Sequence, residues 1–316
     1  MAVNESTSLS GTRDLGVLLR NLRSKDKGVK YNNLLGYVFI APAMILYLVF
    51  NIWPIVRGLL MAFTDYRFVY PDTRWDFNGV NNFTKMAGDK NVHEALGVAL
   101  KYTALVLPVT IILALLVAVL ISRVRHGASF YRWVVYLPSI LPVAVSFLMF
   151  REMYGLKFGL ISNTLRGLGV ENPPNWLGDA TYALPSIALA HLWIIFGFPT
   201  LLFLIGIYNI GSEVYEAAGL DGANGWQQLR WITIPLLKPT FALILVLLIG
   251  IIGVTDPMLI LTGGGPEDST RTVGLHIYQL AFVKGDLRLG YAAAISLVIG
   301  LFSALISAFV FRWSRE

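Results

Sequence analysis

The chain contains no cysteine among its 316 residues. Disulfides, a thiol nucleophile and thiolate metal ligands are therefore excluded for this chain. Charged side chains are scarce as well, since they make up 14% of the residues, whereas a soluble domain carries about 25%. Hydrophobic residues reach 56% and the mean hydropathy is +0.64. This balance favours a protein that is embedded in a membrane.

Apolar runs long enough to cross a bilayer, which takes about 20 residues, recur along the chain. They lie at about 34–60, 98–122, 133–152, 183–208, 240–262 and 289–311. The pattern predicts an all-α polytopic membrane protein with about six transmembrane helices, formed by residues 33–316. Residues 1–32 are predicted to be a basic tail, either partly disordered or with a short helix on the membrane surface.

The charges of the connecting segments predict the orientation. The two tails and the connections 123–132 and 209–239 together carry 13 Lys or Arg and 7 Asp or Glu. The segments on the other side carry 10 and 11. Because basic residues accumulate on the cytoplasmic side, both termini and the 209–239 connection are predicted to be cytoplasmic. The sequence pI of about 9.4 then reflects membrane anchoring, since no basic stripe suited to nucleic acid is present.

A polar, helix-forming stretch occupies the connection between the fourth and fifth runs. Ser212 is predicted to cap a helix whose first turn carries Glu213 and Glu216, because acidic side chains are favourable at the positive end of the helix dipole. Small residues, Ala217 and Ala218, continue this helix.

A bend and a second helix are predicted to follow. The pair Asp221 and Gly222 is typical of a helix break. The second helix is predicted to start at Ala223 and to be stopped by Pro235. Residues 212–235 are called the elbow here, since they are expected to form a helix-turn-helix unit with small residues at its bend.

The elbow resembles a known motif. The matching residues are Glu216-Ala217-Ala218, then Gly222 after three residues, then Ile232-Thr233-Ile234-Pro235 after nine. This pattern is similar to the cytoplasmic coupling loop of permease subunits in type I ABC importers, although the family usually has Leu where this chain has Ile234. The resemblance implies that a coupling helix between spans four and five docks in a cleft of the ATP-hydrolysing subunit. The elbow residues implied in docking are Tyr215, Glu216, Ala217, Ala218, Gly219, Asp221, Gly222 and Pro235.

Further matches resemble the carbohydrate-uptake branch of these permeases, of the maltose and glycerol-phosphate type. They include Ile40-Ala41-Pro42-Ala43, Phe63-Thr64-Asp65-Tyr66, Leu137-Pro138, Trp176-Leu177 and Leu261-Thr262-Gly263-Gly264-Gly265-Pro266. The resemblance implies import of a sugar by alternating access in the inner membrane. It also implies three partners: a second homologous permease, a homodimeric ATP-binding subunit that holds ATP and Mg²⁺, and an extracytoplasmic solute-binding protein. No cofactor or metal is expected on this chain.

Two polar residues inside the apolar runs are candidates for the translocation pathway. Asp256 is the one carboxylate deep in these runs, and burying its charge costs about 2.5–3.5 kcal/mol on insertion scales. As an acceptor, a carboxylate suits the hydroxyl donors of a sugar. An ion pair or a helix-kink cap is the alternative role for Asp256. His191 is a candidate for the same reason, with hydrogen-bonded packing as its alternative.

Other functions stay open at this point. Glycerol 3-phosphate or another polar solute is an alternative to a sugar, and a secondary transporter is a more distant alternative, although no clear internal repeat is found. An intramembrane enzyme would need clustered His, Asp or Glu on facing spans. The run Gly263-Gly264-Gly265 is not a phosphate loop, because no Gly-Lys-Ser/Thr follows. Any ATP hydrolysis is therefore expected in a partner subunit.

Overall fold

The computed structural model describes residues 36–69, 75–124 and 126–314. The predicted tail at 1–32 lies outside these residues. The described chain divides into two units, one that ends at Leu60 and one that begins at Met61. Within the described ranges the chain is almost wholly helical, and its extended pairing is limited to an isolated bridge between Thr64 and Phe77.

The helices follow one another with short connections. In chain order they are α1 (Gly36–Met61), α2 (Asn81–Gly88), α3 (Lys90–Ser122), α4 (Ala128–Ile140), α5 (Val143–Met153), α6 (Leu160–Gly167), α7 (Ala180–Ile195), α8 (Gly197–Tyr208), α9 (Ser212–Leu220), α10 (Gly225–Leu236), α11 (Lys238–Gly253), α12 (Asp256–Leu261), α13 (Val273–Phe282) and α14 (Leu289–Trp313).

In the part of the chain that the structure describes, three single helices and three bent pairs provide the candidate spans. α1, α3 and α14 are each long and apolar enough to cross a bilayer alone. The pairs α4/α5, α7/α8 and α10/α11 pass the same test together, with bends of 91°, 46° and 65°. The prediction of an all-α membrane fold with about six spans agrees with this arrangement when each bent pair counts as one span.

Proline explains the sharpest bend. Pro142 lies two residues beyond the end of α4 and disfavours a helical conformation at the residue before it, Leu141. Leu141 accordingly adopts an extended conformation, with ψ of 142°. The run at 133–152, which the sequence predicts as one continuous span, is therefore two helices that meet near a right angle.

The second unit is built around α3. This helix packs against α7, α8 and α13. Ala99, Ala114 and Ala118 on α3 are fully buried, and such small side chains allow neighbouring helices to come close. The larger Tyr102 and Val106 fill the space between them and are also fully buried.

The fifth span differs from its prediction. A continuous helix over 240–262 is expected from the sequence, but α11 ends at Gly253 in a 3₁₀ turn over Ile249–Gly253. Val254 is extended, and the chain resumes as the short helix α12 at Asp256. Pro257, which lacks a backbone N–H, lies in the first turn of α12, where that donor is not required.

Candidate coupling elbow and membrane-level carboxylate

The first helix of the elbow is α9. Its N-cap is Gly211, and no side chain caps it. The prediction that Ser212 caps this helix is therefore wrong: Ser212 is already its first helical residue, so its side chain lies past the capping position. Glu213 lies in the first turn as predicted, whereas Glu216 falls just past that turn, since the helix begins one residue earlier than a Ser212 cap would place it.

Gly222 makes the bend of the elbow. Its φ of +81° is left-handed, a conformation that glycine adopts without a steric penalty. The N–H of Ala223 donates to the carbonyl of Ala218 at 2.9 Å, and the N–H of Gly222 donates to Gly219 at 3.1 Å. These two hydrogen bonds form a Schellman motif, which satisfies carbonyls at the end of α9. The predicted break at Asp221 and Gly222 is confirmed.

The second helix, α10, starts with a capping box. The Asn224 side chain accepts hydrogen bonds from the N–H groups of Trp226 and Gln227, and the Gln227 side chain accepts from the N–H of Asn224 at 2.8 Å. This helix starts at Gly225 and not at Ala223, because Asn224 takes the cap position.

Pro235 does not stop α10, contrary to the prediction. It lies inside the helix, one residue before its last residue, Leu236. The preceding turn, Leu229–Thr233, is π-helical. Such a wide turn changes the register of the backbone hydrogen bonds and tolerates a residue that lacks an N–H. The bend of 65° follows between α10 and α11.

A side-chain contact joins the two helices of the elbow. The hydroxyl groups of Tyr215 and Thr233 lie 3.1 Å apart. Gln228 adds a bond from its Nε2 to the carbonyl of Ala223 at 3.2 Å. Thr233 is 5% exposed, so this contact is shielded from water, which strengthens it. Asn224, Gln228 and Thr233 were not singled out from the sequence, although the Asn-x-x-Gln spacing of a capping box is a readable signal.

The outer surface of α9 is left uncovered. None of its residues is buried, and Leu220 is 91% exposed. Of the eight elbow residues predicted for docking, Tyr215 and Ala218 are half-buried and the others are exposed: Glu216, Ala217, Gly219, Asp221, Gly222 and Pro235.

Asp256 stands at the break in the fifth span. Its side chain is exposed, and within the described residues it forms no hydrogen bond or ion pair. The next two residues, Pro257 and Met258, are buried. The break therefore turns the carboxylate outward while it fixes α12 to the bundle. Neither an ion pair nor a helix cap, the alternative roles for Asp256, is present in the described part of the chain.

His191 lies in the core of the bundle. Its Nδ1 is 2.6 Å from the hydroxyl of Tyr102, and the two rings are stacked. Phe147 packs against the same imidazole, and His191 is only 8% exposed. Of the two candidates for the pathway, the structure thus exposes Asp256 and encloses His191 among aromatic side chains.

A polar cluster at the N-terminal ends of α3 and α14 was not predicted from the sequence. Tyr291 donates to Asp89 at 2.8 Å, and Arg271 contacts Asp268 at 2.9 Å and Asn91 at 3.3 Å. Burial raises the pKa of Asp89, but hydrogen bonds from Tyr291 and Asn91 outweigh it and hold the pKa below its usual range. The pairs Tyr291–Asp89 and Arg271–Asn91 are 202 and 180 positions apart in sequence, so no local pattern predicts these contacts.

His276 lies buried beside this cluster, and neither ring nitrogen has a partner among the described residues. Burial lowers the pKa of His276 to about 4. The charges of Arg271 and Lys284 act in the same direction, while those of Asp89 and Asp268 oppose it. No group of His, Asp or Glu suited to a metal ion occurs in the described ranges.

Comparison with known proteins agrees with the resemblance seen in the sequence. Residues 107–315 match the family described as "Binding-protein-dependent transport system inner membrane component". A probable ABC transporter permease of Bacillus subtilis, YesP, is 34% identical over 92% of this chain and 93% of its own. The lactose transport system permease LacF of Rhizobium radiobacter is 31% identical over 91% of this chain and 96% of its own.

A solved structure shares the fold. A chain of a bacterial alginate ABC transporter, crystallised with a periplasmic protein that holds an alginate pentasaccharide, superposes with a TM-score of 0.78. It is 25% identical and covers 92% of this chain and 96% of that chain.

Proposed function

Since the chain belongs to the family of binding-protein-dependent transport system inner membrane components, we propose that it moves a sugar through the cytoplasmic membrane, driven by a separate ATPase that docks on the elbow. Permease subunits of this kind are not enzymes, and ATP hydrolysis resides in another subunit. ATP and Mg²⁺ are accordingly assigned to the partner. The observation that carries the proposal is the uncovered elbow helix α9.

The elbow has the properties of a docking element. A helix of nine residues is too short to be stable alone in water, and no side chain of α9 is buried by the rest of the chain. Its helical conformation is nevertheless stabilised by the Schellman motif at Gly222 and by the contact between Tyr215 and Thr233. A preorganised but uncovered helix suits insertion into a partner's cleft, because little conformational entropy is lost on binding.

A rigid elbow would also transmit movement. α10 continues from the elbow into α11 through a single bend at Leu237. Closure of an ATPase dimer that holds α9 would therefore push on the fifth span, which carries the break before Asp256. Rigid-body switching of packed helices is an established way to alternate access to a site between two sides.

The solute is proposed to be a sugar. Two of the related proteins are named for carbohydrates, lactose and alginate. Asp256 is exposed at membrane level and carries no partner in the described residues, whereas an exposed carboxylate in hydrocarbon would be costly. A water-filled pathway resolves this conflict, and there the carboxylate can accept hydrogen bonds from sugar hydroxyl groups.

The assembly is proposed to contain a second homologous permease, two ATPase subunits and an extracytoplasmic solute-binding protein. The alginate transporter, which this chain resembles, is described in complex with a periplasmic protein. Both termini and the elbow are proposed to lie in the cytoplasm, and the excess of Lys and Arg in these segments supports this orientation.

The first test is co-purification of the tagged chain in mild detergent from its native host. We expect an ATPase and a second permease to follow the tag at fixed stoichiometry. Glu216→Lys should leave insertion unchanged but remove the ATPase, since it reverses a charge on the uncovered helix. Glu171→Lys is the matched control, because Glu171 is also exposed and lies far from the elbow in sequence. A chain that purifies alone would overturn the proposal.

The second test is uptake by the assembled complex in proteoliposomes with ATP inside. Labelled lactose, maltose and alginate oligosaccharide are the probes, and glycerol 3-phosphate represents other polar solutes. Uptake of one of the sugars supports the proposal. Uptake of glycerol 3-phosphate alone would overturn the assignment to sugars, and uptake driven by an ion gradient without ATP would overturn the dependence on an ATPase.

A further inference from the structure

The break in the fifth span leaves backbone groups without helical partners. Residues 254 and 255 lie outside the two flanking helices, with Val254 extended and Thr255 at φ of −119°. An unsatisfied carbonyl at membrane level costs several kcal/mol, so a stable break needs donors from elsewhere in the fold.

Thr272, the N-cap of α13, supplies one of these donors. Its hydroxyl donates to the carbonyl of Val254 at 3.1 Å and accepts a hydrogen bond from the N–H of Leu275 at 3.4 Å. Thr272 is fully buried. A single hydroxyl group therefore caps α13 and holds the extended backbone of the break in the same place.

Gly274 brings α13 against the other side of the break. A Cβ at this position would lie 2.1 Å from the carbonyl oxygen of Gly253 and 2.9 Å from the hydroxyl of Thr255. Atoms do not approach so closely, and a backbone carbonyl cannot rotate away as a flexible side chain can. Only glycine at 274 permits the first turn of α13 to rest directly on the break.

The short helix after the break is fixed at its other end. α12 packs against α5 and α7, and Met258 is fully buried in the main core. Asp256 thus lies between two immobilised points, the contact of Val254 with Thr272 on one side and the buried Met258 on the other. Its exposed position follows from these contacts, since the carboxylate itself has no partner among the described residues.

We propose that the turn formed by Thr272 and Gly274 is a positioning element that fixes Asp256 toward the solute by bracing the break at 254–255. The inference rests on the proposed place of Asp256 on the pathway. Neither Thr272 nor Gly274 contacts the solute in this scheme. They act through the backbone, and their loss would move the carboxylate without removing it.

The absence of cysteine makes a direct test possible. Asp256→Cys introduces the chain's one thiol at the position in question. The assembled complex is prepared in permeabilised membrane vesicles, so that a reagent reaches both faces of the membrane. It is then treated with a charged, membrane-impermeant maleimide, and the labelling rate of the tagged chain is measured. A thiol reacts as thiolate and only where water reaches it, so the rate reports the surroundings of residue 256.

Adding Gly274→Ala to the Asp256→Cys variant is expected to change the labelling rate at position 256 by about tenfold. The displaced backbone would alter the exposure and the thiolate fraction of the introduced thiol, on which its reactivity depends. Thr272→Val should change it by about threefold, the effect of one lost hydrogen bond, and Thr272→Ser should restore it. Gly97→Ala is the matched control, since a Cβ there meets no atom within 4 Å. If the Gly274→Ala protein does not accumulate in the membrane, Thr272→Val and Thr272→Ser still test the positioning role.

The possible failures are distinguishable. Equal labelling rates with Gly274→Ala, Thr272→Val and Gly97→Ala would overturn the positioning role and leave the pathway intact. If Asp256→Cys is not labelled, either alone or together with the other substitutions, the proposed place of Asp256 on the pathway is overturned. The positioning role of the turn is then overturned as well. Loss of labelling with Gly97→Ala as well would show a general loss of structure and would also overturn a specific role for the turn.

Discussion

The hydroxyl groups of Tyr215 and Thr233 lie 3.1 Å apart and join the two helices of the elbow. The two residues are 18 positions apart in sequence, and the bend at Gly222 lies between them. Thr233 is buried and Tyr215 is half-buried at this contact, whereas most other residues of α9 are exposed. The contact therefore stabilises α9 through Tyr215 and leaves the exposed residues of this helix uncovered for the proposed docking.

Tyr215→Phe should loosen α9 in the isolated permease. Loss of the hydroxyl contact removes about 1 kcal/mol, so the amide hydrogens of α9 should exchange about five to ten times faster. Hydrogen exchange followed by mass spectrometry measures this. Tyr208→Phe is the control, because Tyr208 is exposed and its hydroxyl has no partner in the described residues. Unchanged exchange in Tyr215→Phe would contradict a bracing role.

Gly222→Ala should weaken the elbow through its backbone. A side chain in the left-handed region costs about 1–2 kcal/mol, and the φ at this position is +81°. Less ATPase is therefore expected to co-purify with this variant. Gly222→Asn should retain more, since asparagine tolerates this conformation better than alanine. Equal retention by Gly222→Ala and the unchanged chain would show that the bend is not needed for docking.

Tyr102→Phe tests whether His191 acts in packing or in transport. The change leaves the buried Nδ1 of His191 without its partner, which costs about 1–3 kcal/mol. If His191 is a packing residue, the thermal unfolding temperature of the complex falls while the apparent KM for the transported sugar stays the same. A raised KM without loss of thermal stability would instead support a place for His191 on the translocation pathway.

Stability should depend on pH through His276. The pKa of this buried imidazole is lowered to about 4, whereas the ordinary value is 6.5. Between these values only the unfolded chain takes up the proton, so the free energy of unfolding falls as the pH decreases from about 6.5 to about 4. Thermal unfolding of the purified complex across this range measures the slope.

His276→Phe should flatten this slope, because it removes the group that titrates differently in the folded and unfolded chain. His93→Phe is the control, since His93 is exposed. An unaltered slope in His276→Phe would mean that another group is responsible. The change should be visible as a smaller drop in unfolding temperature on acidification, a few degrees for each kcal/mol in a chain of this size.

The elbow was largely predictable because its signals are local. Acidic residues early in a helix, an Asp-Gly break and a nearby proline each act within a few residues of the chain. The wrong predictions for the elbow also concern residues that are close in sequence. Gly211 replaces Ser212 as the cap, and the π-helical turn before Pro235 carries the helix past the proline. Several backbone solutions compete at such positions, and their energies differ by no more than about 1–2 kcal/mol.

The sequence by itself determined the membrane class, the number of apolar runs and the place of the elbow, because these depend on hydrophobicity summed over about 20 residues and on local propensity. The tertiary structure alone decided where the fifth span breaks, that His191 pairs with Tyr102, and that α13 braces the backbone beside Asp256. Tyr102 and His191 are 89 residues apart, and Val254 and Thr272 are 18 apart. Contacts over such separations depend on how whole helices pack, which no local pattern specifies.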